Sequence, residues 1–139
     1  MSNDPAQALN GDRLMAAADA ARDGAYAPYS NFQVGAAAEF ESGDVVTGAN
    51  IENGAFPSGI CAERNAIAAG MAKLGPTARL KRIAVSARDA TGADRDAPPC
   101  GACRQVIAEH GYGAHVVFRW EGRAIERPMS ELLPFSFVL

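Results

Sequence analysis

Four side chains in this sequence have types and spacing suited to chemistry. Cys61-Ala62-Glu63 and Pro98-Pro99-Cys100-Gly101-Ala102-Cys103 together hold every cysteine of the 139-residue chain. Three thiolates can hold one Zn²⁺ and leave its fourth position to water, which is how catalytic zinc sites differ from structural ones. Glu63 lies two residues from the first thiol, where a carboxylate can take a proton from that water. Cys100 and Cys103 are three apart, so a helical first turn puts both sulfurs on one face. Cys61 and Glu63 would splay apart on a regular helix, which places Cys61 at a helix cap instead. Both cysteine segments therefore belong at helix N-termini, where the positive end of the dipole stabilises thiolates. Three thiolates overcompensate a divalent cation, and Arg64 is placed to donate to a ligand sulfur and offset part of that charge.

Two plainer readings compete. A Cys-x-x-Cys pair can be a redox couple. A structural zinc module needs a fourth ligand, for which His110 and His115 are the candidates. His110 lies seven residues beyond Cys103, about two helical turns or roughly 10 Å along the axis. The two histidines read more simply as a helix C-terminal residue and a strand residue.

The elements that must position these groups follow from pattern and punctuation. Residues 5–24 read as a helix, with Leu14, Ala18, Ala21 and Ala25 at helical spacing and Gly24 and Pro28 ending it. Phe32–Phe40 reads as a strand whose small residues, Gly35 to Ala38, imply close packing over it. Glu41-Ser42-Gly43-Asp44 is a hairpin turn, and a return strand is expected over Val45–Glu52, with Asn50 and Glu52 on one face. A helix over Ala62–Leu74, a buried strand over Leu80–Ala87 and a polar loop over Arg88–Ala97 follow. Then come a helix over Cys100–His110, strands over His115–Trp120 and Arg123–Arg127, and a helical turn over Ser130–Leu133. Strands alternating with helices predict an α/β fold, a three-layer α/β/α sandwich on a mixed sheet of about five strands.

Totals narrow the setting. The length predicts one catalytic domain over residues 1–139. No apolar run reaches the roughly eighteen residues of a membrane span, and Met1-Ser2-Asn3-Asp4-Pro5 does not resemble a signal peptide. A cytoplasmic setting, where thiols stay reduced and free for metal, is expected, and an odd cysteine count argues against a disulfide framework. The formal charge of −3 argues against a nucleic-acid partner. Arg79, Lys81 and Arg82 are close together, and a solvated strand entry accounts for them.

Cys-Ala-Glu followed by Pro-Cys-x-x-Cys matches the Cys₃ form of the zinc deaminase signature. Further segments carry the match: Ala25-Tyr26-Ala27-Pro28-Tyr29-Ser30-Asn31-Phe32 with Val34-Gly35-Ala36-Ala37, then Asn50-Ile51-Glu52-Asn53, Cys61-Ala62-Glu63-Arg64, Cys100-Gly101-Ala102-Cys103-Arg104-Gln105 and Glu131-Leu132-Leu133-Pro134. Over nearly its whole length the chain resembles the small homotetrameric cytidine deaminases. The resemblance implies one zinc per chain and hydrolytic deamination of free cytidine or deoxycytidine, a pyrimidine-salvage reaction at the C–N bond of a cyclic amidine. In that chemistry water activated by the zinc attacks C4 of the pyrimidine. Glu63 takes its proton, delivers it to N3, and helps protonate the departing ammonia. The N–H of Ala62 is implied to bind O2 of the base, Phe32 to stack on the ring, and Asn50 and Glu52 to bind the ribose hydroxyls.

Two places depart from the family pattern. Gly54-Ala55-Phe56 stands where Ala-Ser-Tyr is usual, near the 5′ end of a neighbouring subunit's ribose. Phe135-Ser136-Phe137 replaces small residues before the terminal phenylalanine, which the resemblance directs towards a neighbour's pyrimidine. Gly54, Phe56 and Phe137 are thus expected at sites shared between subunits. An apolar chain end on a small domain also points by itself to a buried interface. Blasticidin S deaminases share the Cys-Ala-Glu and Pro-Cys-Gly-x-Cys-Arg-Gln elements. Asn50 and Glu52 favour a ribonucleoside.

Overall fold

The computed structural model describes residues 5–139, with side chains described from Asn10 onward. Met1–Asp4, part of the segment judged unlike a signal peptide, lies outside the described residues. Helix α1 (Pro5–Ala21) runs into a short 3₁₀ turn, Arg22–Gly24. A hairpin of β1 (Gln33–Phe40) and β2 (Val45–Ala49) follows, turning at Gly43 with φ +92°. Next come α2 (Ala62–Leu74), β3 (Leu80–Arg88), β4 (Asp94–Arg95) and α3 (Gly101–His110). The hairpin of β5 (His115–Trp120) and β6 (Arg123–Pro128) leads to α4 (Met129–Leu132).

The strands form one mixed sheet in the order β2-β1-β3-β5-β6. The β3–β5 pair is parallel, the others antiparallel. The sixth strand, β4, pairs with Ala87 and Arg88, beyond the stretch of β3 that β5 covers. The expectation of about five strands missed it, because two exposed polar residues give no alternation to read.

The two-residue period of the strands decides the layers. Ala36, Ala38 and Phe40 of β1, Ile83 and Val85 of β3, and Val116 and Phe118 of β5 face α2 and α3 in one core. Ala37, Ala84 and Val117, one residue out of phase, face Leu14, Met15 and Ala18 of α1 in another. The expected α/β/α sandwich is present. Close packing over β1 is also found: a Cβ on Gly35 would sit 2.2 Å from the Ala18 carbonyl oxygen of α1. On the other face, a Cβ on Gly48 would come within 2.5 Å of the Ala66 nitrogen of α2.

Two expectations need correction. The return strand ends at Ala49, not Glu52, because Asn50 turns its amide onto β1. Its Oδ1 accepts from the Val34 N–H (2.9 Å), and its Nδ2 donates to the Phe32 carbonyl (3.0 Å). Arg82 is not a solvated strand-entry residue. The strand period carries it under α1, where it is buried and paired with Glu39 (3.1 Å) and Glu126 (3.3 Å).

Candidate active site

Two helix starts build the site. Cys61 is the N-cap of α2, with extended backbone (φ −70°, ψ 154°). Cys100 is the N-cap of α3 (φ −66°, ψ 170°), and its Sγ accepts from the Cys103 N–H at 3.4 Å. Both caps agree with the placement argued from spacing. The start of α2 is fixed by Asn65, whose Nδ2 donates to the Ala49 carbonyl (2.7 Å). A reciprocal Ile51–Ile60 backbone bridge, both bonds 3.0 Å, closes the loop that leads into Cys61. The start of α3 is fixed by Arg104, donating through Nε to the Pro99 carbonyl (2.8 Å) and through a terminal nitrogen to the Leu132 carbonyl (2.9 Å).

These anchors bring the three sulfurs together. The Sγ atoms of Cys61, Cys100 and Cys103 all lie within 4.8 Å of one another, and all three thiols are free. Neither histidine joins the group. His115 instead meets the Glu126 carboxylate at 2.9 Å, so the fourth ligand of a structural module is absent among the described residues.

The electrostatics of the cluster fit a cation. The Cys61 thiol is lowered to about 6 by hydrogen bonds from Cys103 and, against the cost of burial, from Cys100, with the Arg64 charge adding to it. Once Cys61 carries a charge, the Cys103 thiol is pushed strongly upward, since it is the donor to Cys61 and is itself buried near Glu63. Three free sulfurs converging on one point are a donor set that Zn²⁺ binds as thiolates, so the residues present fit one zinc. Arg64 is exposed, and its charge is the smallest of the causes that lower the Cys61 thiol. Its expected hydrogen bond to a sulfur is absent among the described residues.

Glu63, in the first turn of α2, is 4 % exposed. Burial raises its pKa, and the neighbouring Cys61 thiolate raises it further. It lines a cavity of about 750 Å³ together with Cys61, Cys100 and Ala62, a size that suits a small organic ligand. As the first residue of α2, Ala62 has an N–H without an intrahelical partner. Phe32 lines the same cavity, as do Asn50, Glu52 and Phe56.

The carboxylate of Glu52 accepts from the Tyr29 N–H (2.9 Å), the Ser30 N–H (3.1 Å) and the Ser30 hydroxyl. The Ser30 hydroxyl bond is the main cause of its lowered pKa. Asn50 and Glu52 thus hold the segment that carries Tyr29 and Phe32 to the cavity. Each keeps some hydrogen-bonding capacity, Asn50 one amide hydrogen and Glu52 further lone pairs.

Sequence reasoning missed Ile60, Val85, Asp96 and Pro98 as lining residues. The first two are apolar residues that read only as core or loop, and Asp96 reads as loop polarity. Pro98 stands in the cysteine motif itself, and no pattern in the sequence singles out the other three.

Comparison with known proteins gives this arrangement a family. The family described as "Cytidine and deoxycytidylate deaminase zinc-binding region" matches residues 10–119. A cytidine deaminase of Halalkalibacterium halodurans is 42 % identical over 130 residues, covering 91 % of this chain and 94 % of that protein. The chain belongs to the cytidine deaminase family. Solved cytidine deaminases share its fold. That of Burkholderia pseudomallei has a TM-score of 0.80 at 39 % identity, covering 91 % of this chain and 98 % of that one. That of Mycobacterium tuberculosis has a TM-score of 0.76 at 38 % identity, covering 92 % and 97 %.

Two of the residues expected at a neighbouring subunit's site are exposed aromatics. Phe56 packs edge-on against Tyr29 with ring centroids 5.9 Å apart. Phe137 is held along α3 by Gln105, whose Nε2 donates to the Phe137 carbonyl (3.1 Å) and whose Oε1 accepts from its N–H (3.2 Å). Gly54, also exposed, lies beside the Tyr29 hydroxyl. Among the described residues, no helix is long and apolar enough to cross a membrane.

Proposed function

We propose that this chain is a zinc-dependent cytidine deaminase, a single catalytic domain that hydrolyses free cytidine and deoxycytidine to uridine and deoxyuridine with release of ammonia. The observation that carries this reading is the group of three convergent thiols with a buried carboxylate beside it, on the wall of a cavity large enough to admit a nucleoside. Zinc held by Cys61, Cys100 and Cys103 supplies, when bound, a Lewis acid that makes water nucleophilic near neutral pH.

Glu63 moves the protons. Its buried carboxylate takes one from the attacking water and passes it to N3 of the pyrimidine, then takes the second from the hydroxyl now on C4 and gives it to the amine, which leaves as ammonia while C4–O becomes a carbonyl. Its raised pKa suits a group that must both accept and give. The Ala62 N–H holds O2 of the base, and the Phe32 ring stacks on the pyrimidine face. Asn50 and Glu52 bind the ribose hydroxyls with the capacity left after holding residues 29–34. Arg64 tempers the thiolate charge from outside.

The working unit in this reading is a cytoplasmic homotetramer serving pyrimidine salvage. Phe135 and Phe137 are 95 % and 68 % exposed, as is Leu139 at the end of an apolar tail. Such a surface suits burial against a second copy, with Gly54, Phe56 and Phe137 completing a neighbour's site. Ammonia release measured with cytidine, deoxycytidine, cytosine and blasticidin S tests the assignment. Turnover of the two nucleosides well above cytosine is expected. Preference for the free base, or for blasticidin S, would overturn it.

A further inference from the structure

We propose that Asp96 is a positioning residue for the metal centre: its grip on the β5–β6 turn fixes the segment that delivers the Cys100 thiol. The inference rests on the zinc reading and names a residue that no motif in the chain marks.

Of the three thiols, Cys100 has the least support from packing. Cys103 is buried inside α3 and Cys61 is half-buried, whereas Cys100 is exposed and precedes the first residue of its helix. The segment leading to it is Asp96-Ala97-Pro98-Pro99. Its two prolines have no N–H to donate, and β4 has already ended at Arg95. Few bonds can hold this segment. Arg104 holds the Pro99 carbonyl at the near end (2.8 Å), and the Ala97 N–H makes a long bond to the Arg119 carbonyl (3.3 Å).

The remaining tie is the Asp96 carboxylate. Oδ2 accepts from the Glu121 N–H at 2.7 Å and Oδ1 from the Gly122 N–H at 3.1 Å. Glu121 and Gly122 have φ of +52° and +78°, the paired positive values of a tight hairpin turn. Two successive N–H groups of that turn therefore converge on one carboxylate, an anion-binding concavity filled from within the chain. The turn belongs to the β5–β6 hairpin, so the grip ties to the sheet the exposed end of a segment whose Ala97 and Pro99 already pack inward. Asp96, Ala97 and Pro98 also line the cavity. The same tie holds one wall of the site.

The test uses the zinc-loaded protein and follows transfer of zinc to a chromogenic chelator. Asp96→Ala should release zinc faster by a few-fold up to about tenfold, since loss of a partner bonded directly to a ligand costs about tenfold or more and Asp96 acts one step further out. Asp96→Asn, which keeps one accepting oxygen, should fall between, and it decides the question if the alanine variant folds poorly. Asp89→Ala is the matched control. Asp89 also accepts two turn N–H groups, from Thr91 and Ala93, along with the Thr91 hydroxyl and Arg95 (3.3 Å), but it lies in the β3–β4 connection and makes no bond to the β5–β6 turn. Unchanged release in folded Asp96 variants would overturn the proposal, and so would equal acceleration in Asp89→Ala. If the unsubstituted protein holds no stoichiometric zinc, the metal reading itself fails, and that result is read before any variant is compared.

Discussion

Glu63→Gln is the most informative single change, because it alters one atom type and little else. The amide fills the same volume at a site that is 4 % exposed, so no cavity opens. Burial raises the pKa of Glu63, which means the folded state bears a cost for holding that carboxylate ionised. Glutamine has no charge to desolvate. Thermal stability should therefore hold or rise. The three thiols are untouched, so zinc content should remain at one per chain. What disappears is a group able to accept and return a proton. Removing general acid–base catalysis costs about 10²–10⁴ in rate, or about 3–5 kcal/mol in the barrier. The loss should appear in kcat for cytidine, followed by absorbance, alongside metal analysis and a melting curve of the same preparation. Near-normal kcat with zinc bound would refute the proton-transfer role. Loss of zinc together with activity would refute the claim that Glu63 stands apart from the ligand set.

Two further outcomes follow from the same geometry. Asn50→Ala and Glu52→Ala should each lower kcat/KM for cytidine by roughly 1–3 kcal/mol in free energy, as polar partners of the sugar are lost. Asn50→Ala should also reduce stability, since its bonds to Val34 of β1 and to the Phe32 carbonyl just before that strand go; equal activity on cytosine and cytidine in the unsubstituted protein would leave both residues purely structural. Deleting residues 135–139 should lower both the oligomer mass and the activity while zinc stays bound, and light scattering that finds an active monomer at assay concentration would contradict the shared-site reading.

The parts of this molecule legible in its sequence are those fixed by local chemistry. α2 begins after Cys61 and ends before Gly75 as expected, because a cap, a first-turn acid and a glycine with φ +95° mark it. His115–Trp120 is read correctly because Val116-Val117-Phe118 is a continuous β-branched and aromatic run, the pattern of a strand buried on both faces. The metal ligands are legible for a different reason: they are the only cysteines, and their spacing suits helix starts. The resemblance added the residues proposed to bind substrate, which spacing alone did not identify.

What the sequence hides are contacts made across large separations by residues of ordinary type. Arg82 reads as solvated until β1 and β6 bring Glu39 and Glu126 to it. Glu52 finds its donors 22 and 23 residues earlier in the chain, and Asp96 finds its own 25 and 26 residues later. Those around the cavity share one feature. In each loop near the cavity a carboxylate or amide side chain takes up backbone N–H groups that no sheet ladder reaches. Glu52 does this for Tyr29 and Ser30, Asn50 for Val34, and Asp96 for the β5–β6 turn. A site that must leave room for a substrate cannot be rigidified by filling it with apolar side chains. Its walls have to be held from behind by polar groups whose partners lie elsewhere in the chain. That requirement explains why the reacting atoms were readable from spacing and the scaffold that aims them was not.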